Sequence, residues 1–115
     1  GVTAYANQTK ENILGVEKDV LLKFGAVSKE VAEQMSEGVK KALNTDYSIA
    51  TTGIAGPEGG SEEKPVGTVW ISVASDKNKV AEKHFFPTTR DNFIERVSNQ
   101  ALLMLTKLIN EENPF

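Results

Sequence analysis

The sequence predicts a layered α/β/α sandwich whose mixed sheet includes a C-terminal antiparallel hairpin. Three observations predict it. Two segments repeat apolar residues at helical spacing, Val31, Met35, Val39 and Leu43 in one and Ile94, Val97, Ala101, Leu105 and Leu108 in the other; each is the stripe of a helix lying on a core. Residues 67–74 alternate, with Val69, Ile71 and Val73 on one face and Trp70 on the other, as strands do. The order strand, helices, strand, hairpin, helix lets helices cover both faces of one sheet.

Each element has a local reason. Val2-Thr3-Ala4-Tyr5 is short, β-branched and aromatic, and reads as a strand. Asn7 reads as the N-cap of a helix that carries Ile13 and Leu14 and stops at Gly15. A second short helix covers residues 18–24 and ends at Gly25. Ser28 caps the next helix, with Glu30 near its positive end and Lys40 and Lys41 near its negative end. Residues 46–52 follow as an interior strand. Residues 53–65 then form a loop with Gly53, Gly56, Gly59, Gly60, Pro57 and Pro65. Asp76-Lys77-Asn78-Lys79 is turn material that folds residues 80–86 back as a hairpin partner. Thr88 with Asp91 resembles a capping box opening a long helix to about residue 111.

Composition bounds the chemistry. The 115 residues form a single domain, 39% hydrophobic and 25% charged, which is the balance of a globular chain. With no cysteine, disulfides, thiolate catalysis and cysteine-ligated metal are excluded, and a reducing compartment fits. A net charge of −3 argues against a nucleic-acid surface. No apolar run reaches the length of a membrane span. The chain opens at Gly1, directly on a strand-like segment, which is expected of a chain whose earlier part is missing.

Two constellations stand out. The glycine loop leaves the end of an interior strand, where ligands of α/β sheets sit, and glycines let successive N–H groups cradle an anion. It matches neither a P-loop nor a dinucleotide fingerprint. A flexible surface excursion is the other reading, since loops beyond about 12 residues are functional or disordered. The second constellation is Tyr5, Asn7 and Lys10. A lysine in the first turn of a helix faces the positive end of the dipole. That field favours the neutral amine, and burial adds to the effect, so Lys10 is a candidate general base for a hydroxyl nucleophile. A solvated lysine on a helix surface is the alternative.

Arg90 is placed to grip a phosphate or carboxylate, or else pairs with Asp91 or lies in solvent. Lys64 at the loop's end either neutralises the same anion or joins Glu62 and Glu63 in a solvated cluster. His84, the only histidine, has neither a cysteine nor a close carboxylate for metal binding and reads as structural. Trp70, Met35 and Met104 read as core.

Motifs along the chain resemble those of the CinA C-terminal domain. They are Tyr5-Ala-Asn-Gln-Thr-Lys10, Leu14-Gly15-Val16, Gly25-Ala-Val-Ser28, Thr52-Gly-Ile-Ala-Gly-Pro57, Gly59-Gly60, Glu63-Lys-Pro-Val-Gly-Thr-Val-Trp70, Phe86-Pro87 and Arg90-Asp91. The resemblance covers essentially the whole chain. It implies a cytoplasmic amidase that hydrolyses nicotinamide mononucleotide to nicotinic acid mononucleotide and ammonia. By motif position Tyr5 and Lys10 match the family's catalytic tyrosine and lysine. Asn7, Thr52, Gly53, Ala55, Gly56, Gly59, Gly60 and Arg90 fall on the substrate side. The implied partner is a small nucleotide; no metal, cofactor, nucleic acid or membrane is implied. A homo-oligomer is expected, because an exposed sheet edge invites association.

The sequence departs from the family at one place. The family's nucleophilic serine lies in a Glu-Ser-Cys-Thr-Gly-Gly motif upstream of the first strand, and nothing like it occurs here. Ser28, Ser48 and Ser61 do not sit in that motif. These residues alone are therefore expected to be inactive, or to take the missing segment from another copy. The family is also often the C-terminal part of a competence- and damage-inducible protein whose N-terminal domain is associated with nucleotide pyrophosphatase activity. A non-catalytic module that binds a nucleotide or self-associates within such a protein is the rival expectation.

Overall fold

The computed structural model describes residues 15–57 and 59–114. In chain order these form α1 (Lys18–Phe24), α2 (Lys29–Leu43), β1 (Tyr47–Gly53), β2 (Thr68–Ser75), β3 (Lys79–Phe85) and α3 (Arg90–Glu112). The expected strand at residues 2–5 and the helix from Asn7 lie outside the described residues. The described strands run in the order β1-β2-β3 and are antiparallel throughout. A parallel member, which a mixed sheet requires, is not among them.

Helix boundaries follow cap chemistry. Gly25 ends α1 with φ 81, and its N–H donates to the Leu21 carbonyl. Ser28 opens α2: its hydroxyl accepts from the Val31 N–H and donates to the Gly25 carbonyl. Asn44 closes α2 in the left-handed conformation, which asparagine tolerates better than most residues. Thr89, not Thr88, caps α3, accepting from the Asn92 N–H at 3.3 Å. Asp91 still falls in the first turn, where its charge suits the dipole.

Phe93, Val97, Ala101, Met104 and Leu108 face the sheet, while Ile94 is 50% exposed. Ile94 therefore does not belong to the core stripe, and Phe93 and Met104 do; Leu105 packs against its margin. On α2, Val31 and Met35 are buried as expected, but Leu43 at the last turn is exposed.

β2 is the centre of the sheet, and its two faces separate two cores. Val69, Ile71 and Val73 meet α3. The opposite face, carrying Ser72, meets α2 through a polar seam: Ser36 and Ser72 share a hydrogen bond at 2.8 Å, and the Ser48 hydroxyl donates to the Ser36 carbonyl at 2.6 Å. Small hydroxyl side chains let helix and sheet approach closely, and every buried hydroxyl here has a partner, as burial demands. Ala50 on the same face joins Val16, Leu21, Val31 and Met35 in the second core. The three layers of the expected sandwich are thus present. Trp70 lies half-buried on the α2 side.

The β2–β3 turn closes as expected, with the Ser75 N–H donating to the Asn78 carbonyl at 2.8 Å. Glu112 at the end of α3 fastens this corner, accepting from the Ser75 hydroxyl, the Asn78 side-chain amide and the Tyr47 hydroxyl. The Ser75 hydroxyl first, and then the Asn78 amide, hold the Glu112 carboxyl below the usual carboxylate range. A carboxyl depressed in the folded state stabilises above its unfolded value, and that contribution is lost as pH falls through the folded value. Thermal melts from about pH 6 to pH 3 should therefore show a shallower acid decline for Glu112→Gln than for the parent chain. Identical slopes would remove Glu112 from the acid response.

Candidate functional site

The site is the connection between β1 and β2. Gly53 ends β1, and the chain re-enters the sheet at Thr68. The base of the connection continues the ladder: the Ile54 N–H donates to the Thr68 carbonyl at 2.9 Å, and the Gly67 N–H to the Ile54 carbonyl at 2.7 Å. A tight turn lies above it, with the Ser61 N–H on the Lys64 carbonyl and the Lys64 N–H on the Ser61 hydroxyl.

The glycines are required here by close approach. A Cβ on Gly56 would stand 2.5 Å from Cγ1 of Val66, and one on Gly60 would stand 2.6 Å from the Val66 backbone nitrogen. Gly56 is also buried with φ +80, a conformation that glycine adopts without strain. The loop is thus folded back on Val66 as a packed structure, unlike a loose excursion. Ala55 packs at the margin of the α3-side core, while Gly59 and Gly60 are exposed.

Arg90, the first residue of α3, reaches across to this loop. Its Nη1 donates to the Gly56 carbonyl at 3.2 Å. Among the described residues it forms no ion pair, so it does not pair with Asp91. One donor of the guanidinium is used in that contact, and the fork carries five. Among the described residues the others have no partner, and an exposed guanidinium in the first turn of α3 is a group that can receive an anion.

Thr52 is buried, and its hydroxyl donates to the Ala26 carbonyl at 2.8 Å. Lys64 donates from Nζ to the Phe24 carbonyl at 2.7 Å. Its ammonium therefore sits at the end of α1, outside the Glu62–Glu63 cluster that the sequence suggests as one of its settings. Gly53 also borders an apolar groove of about 470 Å³ between β1 and α3, lined by Ile49, Thr51, Phe93, Val97 and Leu102 among others.

The structure therefore brings Gly53, Ala55, Gly56, Gly59, Gly60 and Arg90 to one end of the sheet, with Thr52 beneath them. Tyr5, Asn7 and Lys10 lie outside the described residues. Sequence reasoning missed Val66, on which two glycines close, and the Phe24 and Ala26 carbonyls that receive Lys64 and Thr52. The first is a contact within the connection and the other two join distant segments; none leaves a periodic signal.

His84 needs a correction. It does have a carboxylate partner, since Glu82 stands two residues away on the same strand face, 3.0 Å from Nε2. The imidazole also stacks on Phe86 with ring centroids 5.6 Å apart. Among the described residues no group of three or more His, Asp or Glu side chains is arranged to hold a metal ion. Nor is any described helix long and apolar enough to cross a membrane.

Fold and loop together define a three-layer α/β domain carrying a packed glycine-rich connection at the end of its sheet. The family model of the CinA C-terminal domain matches residues 1–109, and the chain belongs to that family. It is similar to the CinA-like protein of Pseudothermotoga lettingae, at 43% identity over 109 residues, covering 95% of this chain and 27% of the relative. It is also similar to the CinA-like protein of Leptospira biflexa serovar Patoc, at 45% identity over 106 residues, covering 91% of this chain and 25% of the relative. Among solved structures it is similar to the competence/damage inducible protein CihA from Agrobacterium tumefaciens, with a TM-score of 0.88 and 36% identity, over 91% of this chain and 65% of that one. A CinA superfamily protein from Enterobacter cloacae superposes with a TM-score of 0.86 at 30% identity, over 94% of this chain and 64% of that one. The chain thus spans about a quarter of the length of the curated relatives it matches.

Proposed function

We propose that the chain contributes to an amidohydrolase that converts nicotinamide mononucleotide and water to nicotinic acid mononucleotide and ammonia. The observation that supports this reading best is the contact of Arg90 with the Gly56 carbonyl, which sets a cation beside the glycine loop. A nucleotide monophosphate carries the anion that such a cation attracts. In this reading the loop and Arg90 hold the phosphate and ribose, with Asn7 on the substrate side. The carboxamide is presented to a serine supplied by an upstream Glu-Ser-Cys-Thr-Gly-Gly segment. Lys10 removes the serine proton as the hydroxyl attacks the carboxamide carbon. It returns that proton to the departing nitrogen, and Tyr5 orients or polarises the reacting group. Water then releases the acid. The activity is assigned to the cytoplasm and to a homo-oligomer, without metal or cofactor, in a protein of the competence/damage-inducible type.

The test is ammonia release from nicotinamide mononucleotide by the chain joined to its upstream segment. Turnover with equal amounts of ammonia and nicotinic acid mononucleotide is expected; no turnover would defeat the reading.

A second reading is a non-catalytic module that binds a nucleotide or self-associates. It is favoured by the close packing of Gly56 and Gly60 on Val66, which gives these glycines a structural use without any ligand. Titration of the same protein with the nucleotide by calorimetry separates the two readings: heat of binding with no ammonia supports the module.

A further inference from the structure

Two segments that flank the glycine loop are fastened to the same short stretch of backbone. Before the loop, the Thr52 hydroxyl donates to the Ala26 carbonyl at 2.8 Å. Near its far end, the Lys64 ammonium donates to the Phe24 carbonyl at 2.7 Å. Phe24 ends α1 and Ala26 lies in the short link, residues 25–28, that joins it to α2. Phe24 is the last residue of α1, where carbonyls lack helical partners and the dipole favours a cation. The contact is charge-assisted, which makes it stronger than a neutral hydrogen bond.

The ammonium lies close against a residue without a side chain. A Cβ on Gly25 would lie 2.9 Å from Nζ of Lys64. Gly25 therefore both ends α1 at positive φ and leaves room for the lysine. Lys64 itself is held in the tight turn with Ser61, and the neighbouring Val66 packs against Gly56 and Gly60. A pull at Lys64 is thus transmitted to the glycines through consecutive residues.

We propose that Lys64 is a positioning residue, which with Thr52 clamps the glycine loop to the α1–α2 link and so sets the shape of the substrate cradle. The role in substrate binding rests on the amidase reading; the clamp itself does not. Lys64 acts through the loop and does not touch substrate. Its charge, one of those that the sequence offers for the anion, is committed to α1, and the anion is left to Arg90.

The first readout is amide hydrogen exchange of the 115-residue chain. In Lys64→Met the loop amides of Ser61, Gly67 and Thr68 should exchange about tenfold faster, the size of effect that losing one charge-assisted tether gives to a locally opening segment. Lys64→Arg, which still reaches the carbonyl with a cation, should restore most of the protection. Lys77→Met, in the exposed β2–β3 turn, should match the parent chain. The second readout is the ammonia assay, in which Lys64→Met should raise KM about tenfold and leave kcat within about a factor of two. Parental exchange rates in Lys64→Met would overturn the clamp. So would arginine and methionine variants that behave alike. If Lys64→Met does not fold, Lys64→Gln provides the second variant, because it removes the cation and shortens the reach to the Phe24 carbonyl while staying polar; a folded Lys64→Gln with parental loop protection would equally overturn it. If the parent protein itself releases no ammonia, the amidase reading fails while the exchange result still decides the clamp.

Discussion

Ile71→Ala should destabilise the domain by about 2–5 kcal/mol, the cost of removing a large buried aliphatic side chain and leaving a cavity. Ile71 is 0% exposed. It sits at the middle of the central strand, paired with Thr51 on one side and Glu82 on the other. Its side chain joins Val69, Val73, Phe93 and Val97 beneath α3. The strand is hydrogen-bonded on both edges and cannot shift to fill the void, so little relaxation is available. Against a typical domain stability of about 5–15 kcal/mol, the loss is a large fraction of the total. Urea unfolding should show a lower midpoint with an unchanged slope. Leu103→Ala is the control: that leucine is 65% exposed, and the change should stay within about 0.5 kcal/mol. Equal losses in the two variants would mean that the α3-side core does not hold the fold.

Lys10→Ala should lower kcat for carboxamide hydrolysis by about 10²- to 10⁴-fold, the usual share of a general acid–base residue. The sequence predicts that Lys10 follows an Asn7 cap, where a helix dipole would oppose the charged amine. An amine biased toward neutrality accepts a proton from a hydroxyl far better than an ordinary lysine does. The proposed serine attack needs such an acceptor, and its reverse delivers the proton to the leaving nitrogen. The measurement is kcat of the chain joined to its upstream segment, with circular dichroism confirming that the variant folds. Loss in kcat should exceed any change in KM, because the proton moves only on the way to the transition state. Undiminished turnover would remove Lys10 from the chemistry.

The described helices and the hairpin were legible because each has a local cause. Ser28 and Gly25 are cap residues, and residues 69–73 alternate in the strand period. What was not legible followed from tertiary choice. Two adjacent threonines offer a cap to α3, and only the structure selects Thr89; packing against the sheet separately places Phe93 inward and Ile94 outward. Leu43 continues a helical stripe in sequence, yet it lies at the end of α2 and stays exposed. At the candidate site the glycine loop announced itself by composition. Val66 lies just past it beyond a tight turn, while Arg90, Phe24 and Ala26 are separated from it by whole elements. Composition suggests a cradle or a loose excursion with equal force, and the packing of Gly56 and Gly60 on Val66 favours a folded loop.

The most direct measurement on the proposed site compares kcat/KM for nicotinamide mononucleotide with that for its dephosphorylated nucleoside, in the parent protein and in Arg90→Ala. If Arg90 beside Gly56 holds the phosphate, the parent strongly prefers the nucleotide. Arg90→Ala should then lose about 10- to 100-fold of that preference, the share of one charge-assisted contact, with turnover of the nucleoside little changed. A preference that survives in Arg90→Ala would contradict the assignment of the glycine loop and Arg90 as the phosphate site.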